Sequence, residues 1–218
     1  MRPRGVLLDI DGTFLDSNDA HAAAYVEALA AEGLRVPFAR IRPLIGMGSD
    51  KLLPAIGVDP ASPAAQHVER AKKDLFDRRH LPTLAPCRGA RDLLLVLKKR
   101  DLTLSVATSA AADELHGLLR AAHIADLVDV EATSSDASAS KPDPDIVEAA
   151  IARAKLPPSA LVMIGDTRYD VEAAHRAGVR IIALRAGGSS DEDLRAAEQI
   201  FDDPADLLAR YDESLLGG

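Results

Sequence analysis

The run Gly5-Val6-Leu7-Leu8 breaks at once into Asp9-Ile10-Asp11-Gly12-Thr13, and few patterns leave a chain so little choice of fold. Four consecutive core-type positions read as a strand buried on both faces of a parallel sheet, so the two aspartates fall where that strand ends and the chain turns. In open α/β sheets the carboxyl edge is where ligands bind. Two like charges held there call for a cation, a shared proton or a chemical task. The spacing is not that of an EF-hand loop, which needs glycine at its sixth position and glutamate at its twelfth. Here Gly12 directly follows the second aspartate.

The same texture returns only after Pro86. Residues 89–100 predict a helix with Leu93, Leu94, Val96 and Leu97 inward, and Leu102 to Ala107 predict a strand ending at Thr108-Ser109. A helix over 111–121, a short strand around 127–130 and a helix over 145–154 follow. Ala160 to Ile164 then make a strand that ends in Gly165-Asp166. A helix over 169–177 closes at Gly178, residues 179–184 give a further strand, and the tail from Asp191 reads as helical. Strands alternating with helices define an α/β fold with one doubly wound parallel sheet.

Residues 17–82 break that alternation. Helical patterns run from Asn18, from Ser49 to Ile56, and from Ser62-Pro63 to about His80, with no strand between them. The expected organisation is therefore a core of residues 1–16 and 83–218 with an inserted all-helical block of residues 17–82. A block carried on two connections, near 14–18 and 82–87, is built to hinge as a lid.

Composition narrows the partners. The 218-residue chain is 47% hydrophobic, enough for a substantial core, and carries a net charge of -8 with 3% aromatics and no tryptophan. Neither a basic surface nor a stacking platform for bases is available, which argues against nucleic acid. No apolar run approaches membrane-spanning length, so no membrane partner is expected. The single Cys87 and the absence of an apolar leader point to the cytoplasm, as a monomer or homodimer.

Laid side by side, the strand ends carry Asp9 and Asp11, then Thr108 and Ser109, then Asp166. In a parallel sheet these ends share one edge, so residues far apart in sequence converge on one crevice. Asp9, Asp11 and Asp166 supply the few hard oxygen ligands that Mg²⁺ prefers, with waters completing its shell. Lys141, in Ser140-Lys141-Pro142-Asp143-Pro144, stands just before a helix. Asp170 falls in the first turn of the helix after Asp166, where the macrodipole favours a carboxylate.

The four motifs Asp9-x-Asp11-Gly12-Thr13, Ala107-Thr108-Ser109, Lys141-Pro142 and Gly165-Asp166-x-x-x-Asp170, in this order, resemble those of the haloacid dehalogenase superfamily. The helical insertion is similar to its first cap type, and the chain resembles most the phosphoglycolate phosphatase and beta-phosphoglucomutase branch. The resemblance implies a Mg²⁺-dependent phosphatase that hydrolyses a small phosphorylated metabolite through an aspartyl phosphate. It makes Asp9 the nucleophile and Asp11 the general acid and base, with Mg²⁺ held by the side chains of Asp9 and Asp166 and the main chain of Asp11. Thr108, Ser109, Lys141 and Gly12 would serve the phosphoryl group, and Asp170 would orient Lys141 or the metal's waters. Asp11 sets the chain apart from the dehalogenases themselves, because a halide leaving group needs no proton. A phosphosugar mutase keeps the same motifs and stays open, as, more remotely, does a non-catalytic phosphate-binding module.

Within residues 17–82, His21 matches by spacing a hinge histidine of the phosphoglucomutase branch. The stretch Gly46-Met47-Gly48-Ser49-Asp50-Lys51 resembles a cap loop facing the substrate, where Lys51 would meet a second anionic group. Lys72-Lys73 and Arg78-Arg79-His80 read as solvated faces or helix ends.

Overall fold

In the computed structural model, which describes residues 2–217, strands and helices alternate around a single sheet. Strand β1 (Gly5–Leu8) leads into a helical block: α1 (Asn18–Ala31), α2 (Phe38–Ile41), α3 (Ser49–Ala55) and α4 (Pro63–Leu75). Then come α5 (Ala90–Lys99), β2 (Thr103–Ala107), α6 (Ala112–Ala121), β3 (Val130–Ala132), α7 (Asp145–Ala154), β4 (Leu161–Gly165) and α8 (Arg168–Arg176). The chain closes with β5 (Arg180–Leu184), α9 (Asp191–Leu194), β6 (Gln199–Phe201) and α10 (Pro204–Ala209).

The sheet is parallel throughout, in the order β3-β2-β1-β4-β5-β6. The chain winds outward from β1 in both directions, which puts a topological switch point beside the central strand. Every residue of β1 and of β4 is buried, as strands covered on both faces require. Val6 and Leu8 join one apolar layer with Leu93, Leu97 and Leu104, whereas Leu7 and Met163 join another with Ile146 and Val171. Leu52, Leu53, Val68 and Tyr25 form a third, separate layer inside the helical block.

Two expectations are corrected. The tail is not all helical: Gln199-Ile200-Phe201 pairs with Ile182, Ala183 and Leu184 as an edge strand. A three-residue strand beside an acidic helix start carries too short a periodicity to read. The strand expected around 127–130 lies at Val130–Ala132, because Leu127 is drawn into a turn with Ile124.

The connections to the helical block lie side by side. Asp16 N–H donates to Ala85 at 3.1 Å and Cys87 N–H to Phe14 at 3.0 Å, so entry and exit form one short antiparallel pair. Cys87 is buried there, and burial pushes its thiol up to about 12, which keeps it protonated and inert. No helix among the described residues is long and apolar enough to cross a membrane.

Candidate active site

Asp9 stands one residue beyond β1, and its N–H still donates to Ile164 of β4 at 3.0 Å. The chain then turns sharply, with the N–H groups of Thr13, Phe14 and Leu15 all directed at the Ile10 carbonyl. Gly12 makes the turn with φ of +77°, and a Cβ there would come within 2.1 Å of Asn18 Nδ2 and 2.3 Å of Asp166 Oδ2. Both the backbone region and the space demand glycine.

That turn delivers the Thr13 hydroxyl between two carboxylates, 2.9 Å from Asp166 Oδ1 and 3.2 Å from Asp9 Oδ2. Lys141 is fully buried, and its Nζ donates to Asp9 Oδ1 and to Asp170 Oδ1 at 2.7 Å each. The far oxygen of Asp170 accepts from the Thr167 hydroxyl at 2.6 Å, the Thr167 N–H at 3.0 Å and the Asp166 N–H at 3.3 Å. Asp170 is thereby committed on both sides: it is clamped to the start of α8, and it fixes the lysine.

Asp9, Asp166 and Asp170 each bring a carboxylate oxygen within 4.8 Å of the others. Three buried carboxylates face one ammonium. Burial raises the Asp9 carboxyl to about 7, with Lys141 opposing and Asp170 adding to the shift. Asp166 is raised well above the usual carboxylate range, first by burial and then by Asp170 and Asp9. Burial works against charge on Lys141 as well, yet Asp170 and Asp9 outweigh it and hold the ammonium firmly protonated.

These residues fit a divalent cation. The donors are hard carboxylate oxygens, the cluster is short of positive charge, and the buried Asn18 Oδ1 beside it has no hydrogen-bond partner among the described residues. Mg²⁺ suits such a set better than a thiophilic metal, because no sulfur or imidazole is among the clustered ligands.

Asp11 faces the other way. Its Oδ1 accepts from Ser17 Oγ at 2.6 Å and lies 2.9 Å from His21 Nε2. Burial would push its carboxyl up, but the charge of His21 and hydrogen bonds from His21 and Ser17 outweigh it and hold the group below its ordinary value. The His21 ring is itself stacked on Phe76, with centroids 3.9 Å apart and planes 5° from parallel.

A cavity of about 270 Å³ opens between the strand ends and the helical block. Asp9, Asp11, Thr108 and Ser109 form its floor; His21, Tyr25, Glu69, Lys72 and Lys73 line it from the helices of the block, Met47 from the loop before α3, and Glu114 from α6. Thr108 is buried, with its Oγ1 accepting from the Ala110 N–H at 3.1 Å. The Ser109 hydroxyl reaches the Gly46 carbonyl at 3.4 Å. Gly12, Lys141, Asp166 and Asp170 are not lining residues; they stand behind Asp9.

Lys51 departs from its expected place. Its Nζ donates to Asp143 Oδ2 at 2.6 Å, and it does not line the cavity. The cations that do are Lys72 and Lys73, which the sequence places on a solvated face. The Lys72 side chain is only 12% exposed, 3.7 Å from Glu114 and over the Phe76 ring. Its acidic partner Glu114 lies on α6, so helix periodicity alone does not reveal that pair. Thr13, Ser17 and Asn18 were likewise without a role in the sequence. Thr13 adjoins Gly12, which is a usable signal, whereas Asn18 looks like any polar residue opening a helix.

With this geometry in view, similarity to known proteins becomes specific. Residues 6–184 match the sequence model of the haloacid dehalogenase-like hydrolases, and the chain belongs to that family. It is 30% identical to the N-acetylmuramic acid 6-phosphate phosphatase of Pseudomonas aeruginosa, across 99% of this chain and 97% of that one. It is 31% identical to the phosphoglycolate phosphatase of Escherichia coli, across 94% and 91%. Among solved structures, a hydrolase from Pseudomonas syringae superposes with a TM-score of 0.89 at 31% identity, covering 96% of this chain and 98% of that one.

Proposed function

We propose that the protein is a Mg²⁺-dependent phosphatase of a small phosphorylated metabolite, working through an aspartyl phosphate on Asp9. The observation that carries this reading is the position of Asp9. Its carboxylate is on the cavity floor, with Lys141 Nζ 2.7 Å behind it and Asp166 alongside. Family membership and two relatives named as phosphatases support it.

In the first half-reaction an Asp9 oxygen attacks phosphorus, the phosphorus–ester oxygen bond breaks, and the proton shared in the Asp11–His21 pair passes through Asp11 to the departing alkoxide. In the second, Asp11 takes a proton from water, whose oxygen attacks the same phosphorus. Inorganic phosphate leaves and the Asp9 carboxylate is restored. Asp9, Asp166 and the main chain of Asp11 would hold Mg²⁺, which supplies positive charge where an anionic nucleophile meets an anionic phosphate. Thr108 and Ser109 donate to phosphoryl oxygens, Gly12 lets the backbone approach them, and Lys141, held by Asp170, neutralises their charge. His21 and Ser17 hold Asp11 in place between its two proton transfers. Residues 17–82 act as the cap that closes over the substrate, a role for which their paired connections are suited. A cavity of this size is small among ligand pockets and fits a metabolite rather than a polymer. We place the enzyme in the cytoplasm, where such metabolites are found.

A phosphate-release screen tests the reading, with N-acetylmuramic acid 6-phosphate, phosphoglycolate, hexose phosphates and nucleotides as substrates. Release with Mg²⁺ that stops on adding EDTA is expected. Isomerised sugar phosphate without free phosphate would assign a mutase instead, and no turnover of any ester would overturn the proposal.

A further inference from the structure

Asn18 opens α1 at the entrance to the helical block and is 2% exposed. Its Nδ2 donates to Asp166 Oδ2 at 2.8 Å and to the Gly187 carbonyl at 3.1 Å. Both partners are acceptors, so the orientation of the amide is fixed. Its Oδ1 is then a buried acceptor with no donor anywhere among the described residues. Such atoms are rare and ask for an explanation.

The surroundings are shaped to keep this amide against Asp166. A Cβ on Gly187 would sit 1.7 Å from Asp166 Oδ2 and 2.8 Å from Asn18 Nδ2, and one on Gly12 would sit 2.1 Å from Asn18 Nδ2. Two backbone segments thus approach as only glycine permits. The Gly187 carbonyl also accepts from Arg42 of the helical block. Two residues of the block therefore converge on one carbonyl of the core, and one of them also grips a metal-site carboxylate.

We propose that Asn18 is a positioning residue that couples divalent-cation binding to seating of the cap. Nδ2 fixes the Asp166 carboxylate, while Oδ1 accepts a hydrogen bond from a water in the cation's shell. A cation-bound water turns its hydrogens outward, so it is the donor this orphaned oxygen lacks. The first turn of α1 is consequently ordered by the cation, although no residue of that turn is a ligand. The inference rests on the metal reading made above, and its test separates the two.

The probe is Mg²⁺ alone, titrated calorimetrically into the parent protein and into Asn18→Ala. The parent is expected to bind, and the variant to bind about 10- to 100-fold more weakly, as loss of outer-shell support does. Amide hydrogen exchange of the parent, with and without Mg²⁺, is the second measurement. Protection in the first turn of α1 is expected to rise with Mg²⁺, and in the variant to stay unchanged at saturating Mg²⁺. Equal affinities, or no Mg²⁺ effect on α1 in the parent, would overturn the coupling and leave the phosphatase reading intact. A parent that binds no Mg²⁺ would sink both. Should Asn18→Ala fail to fold, exchange in the parent decides alone.

Discussion

The two sides of Asp9 are built differently. Behind it, Thr13, Lys141, Asp166, Thr167 and Asp170 are buried and tied to one another by hydrogen bonds. In front of it, Tyr25, Met47, Glu69, Lys72 and Glu114 line an open cavity, and their one charge pair spans 3.7 Å. The first set has no spare freedom, because each group is another's counter-charge or hydrogen-bond partner. The second can be exchanged residue by residue. On the proposed function, reaction type is fixed behind Asp9 and substrate choice is left adjustable in front of it.

The contrast can be broken most severely at Asp9. Asp9→Asn is expected to lower phosphate release by about 10⁴-fold or more, since a lost nucleophile is not replaced. The same change removes one of three crowded carboxylates, so the metal-free variant is expected to melt above the parent. Equal turnover by the variant would refute the role given to Asp9.

Lys141→Met comes next. It leaves Asp9 and Asp170 without their shared ammonium, which is expected to cost about 3–5 kcal/mol of stability in denaturant titrations. Turnover of the protein that stays folded should fall on the order of 10²–10³-fold. Lys72→Gln, on the open side, is expected to raise KM for the metabolite about tenfold, leave kcat for a small aryl phosphate near the parent value, and leave the melting temperature unmoved. A large loss of stability there would erase the distinction between the two sides.

The smallest expected effect is on pH dependence. With Asp9 raised to about 7, the metal-free fold holds more protons than the unfolded chain between the ordinary carboxylate value and about 7. Its stability therefore falls as pH rises through that window. Mg²⁺ bound there, as proposed, would favour the carboxylate and remove the penalty. The melting temperature should rise on adding Mg²⁺ by a few degrees more at pH 8 than at pH 5.5, which differential scanning calorimetry resolves.

The same division explains what was legible in the sequence. Asp9, Thr108 and Asp166 stand where apolar runs end, and a parallel sheet brings such ends together without further information. Lys141 and Asp170 were readable by resemblance, and Asp170 now has a physical role as the clamp on Lys141. Strand β6 was not legible, being three residues at a sheet edge. Nor were Lys72 and Asn18, whose roles depend on partners in other elements, α6 for one and the ends of β4 and β5 for the other. Lys51 looked suited to an anion, but Asp143 takes it.

The spread of the site along the chain has a consequence for its synthesis. Asp9 meets Lys141 across 132 positions, and Asn18 meets the Gly187 carbonyl across 169. A fragment emerging from the ribosome with only its first half made has Asp9 but neither the Lys141 ammonium nor the second acidic strand end at Asp166. Lys141, Asp166 and Asp170 must therefore all be made before this buried cluster can assemble around Asp9.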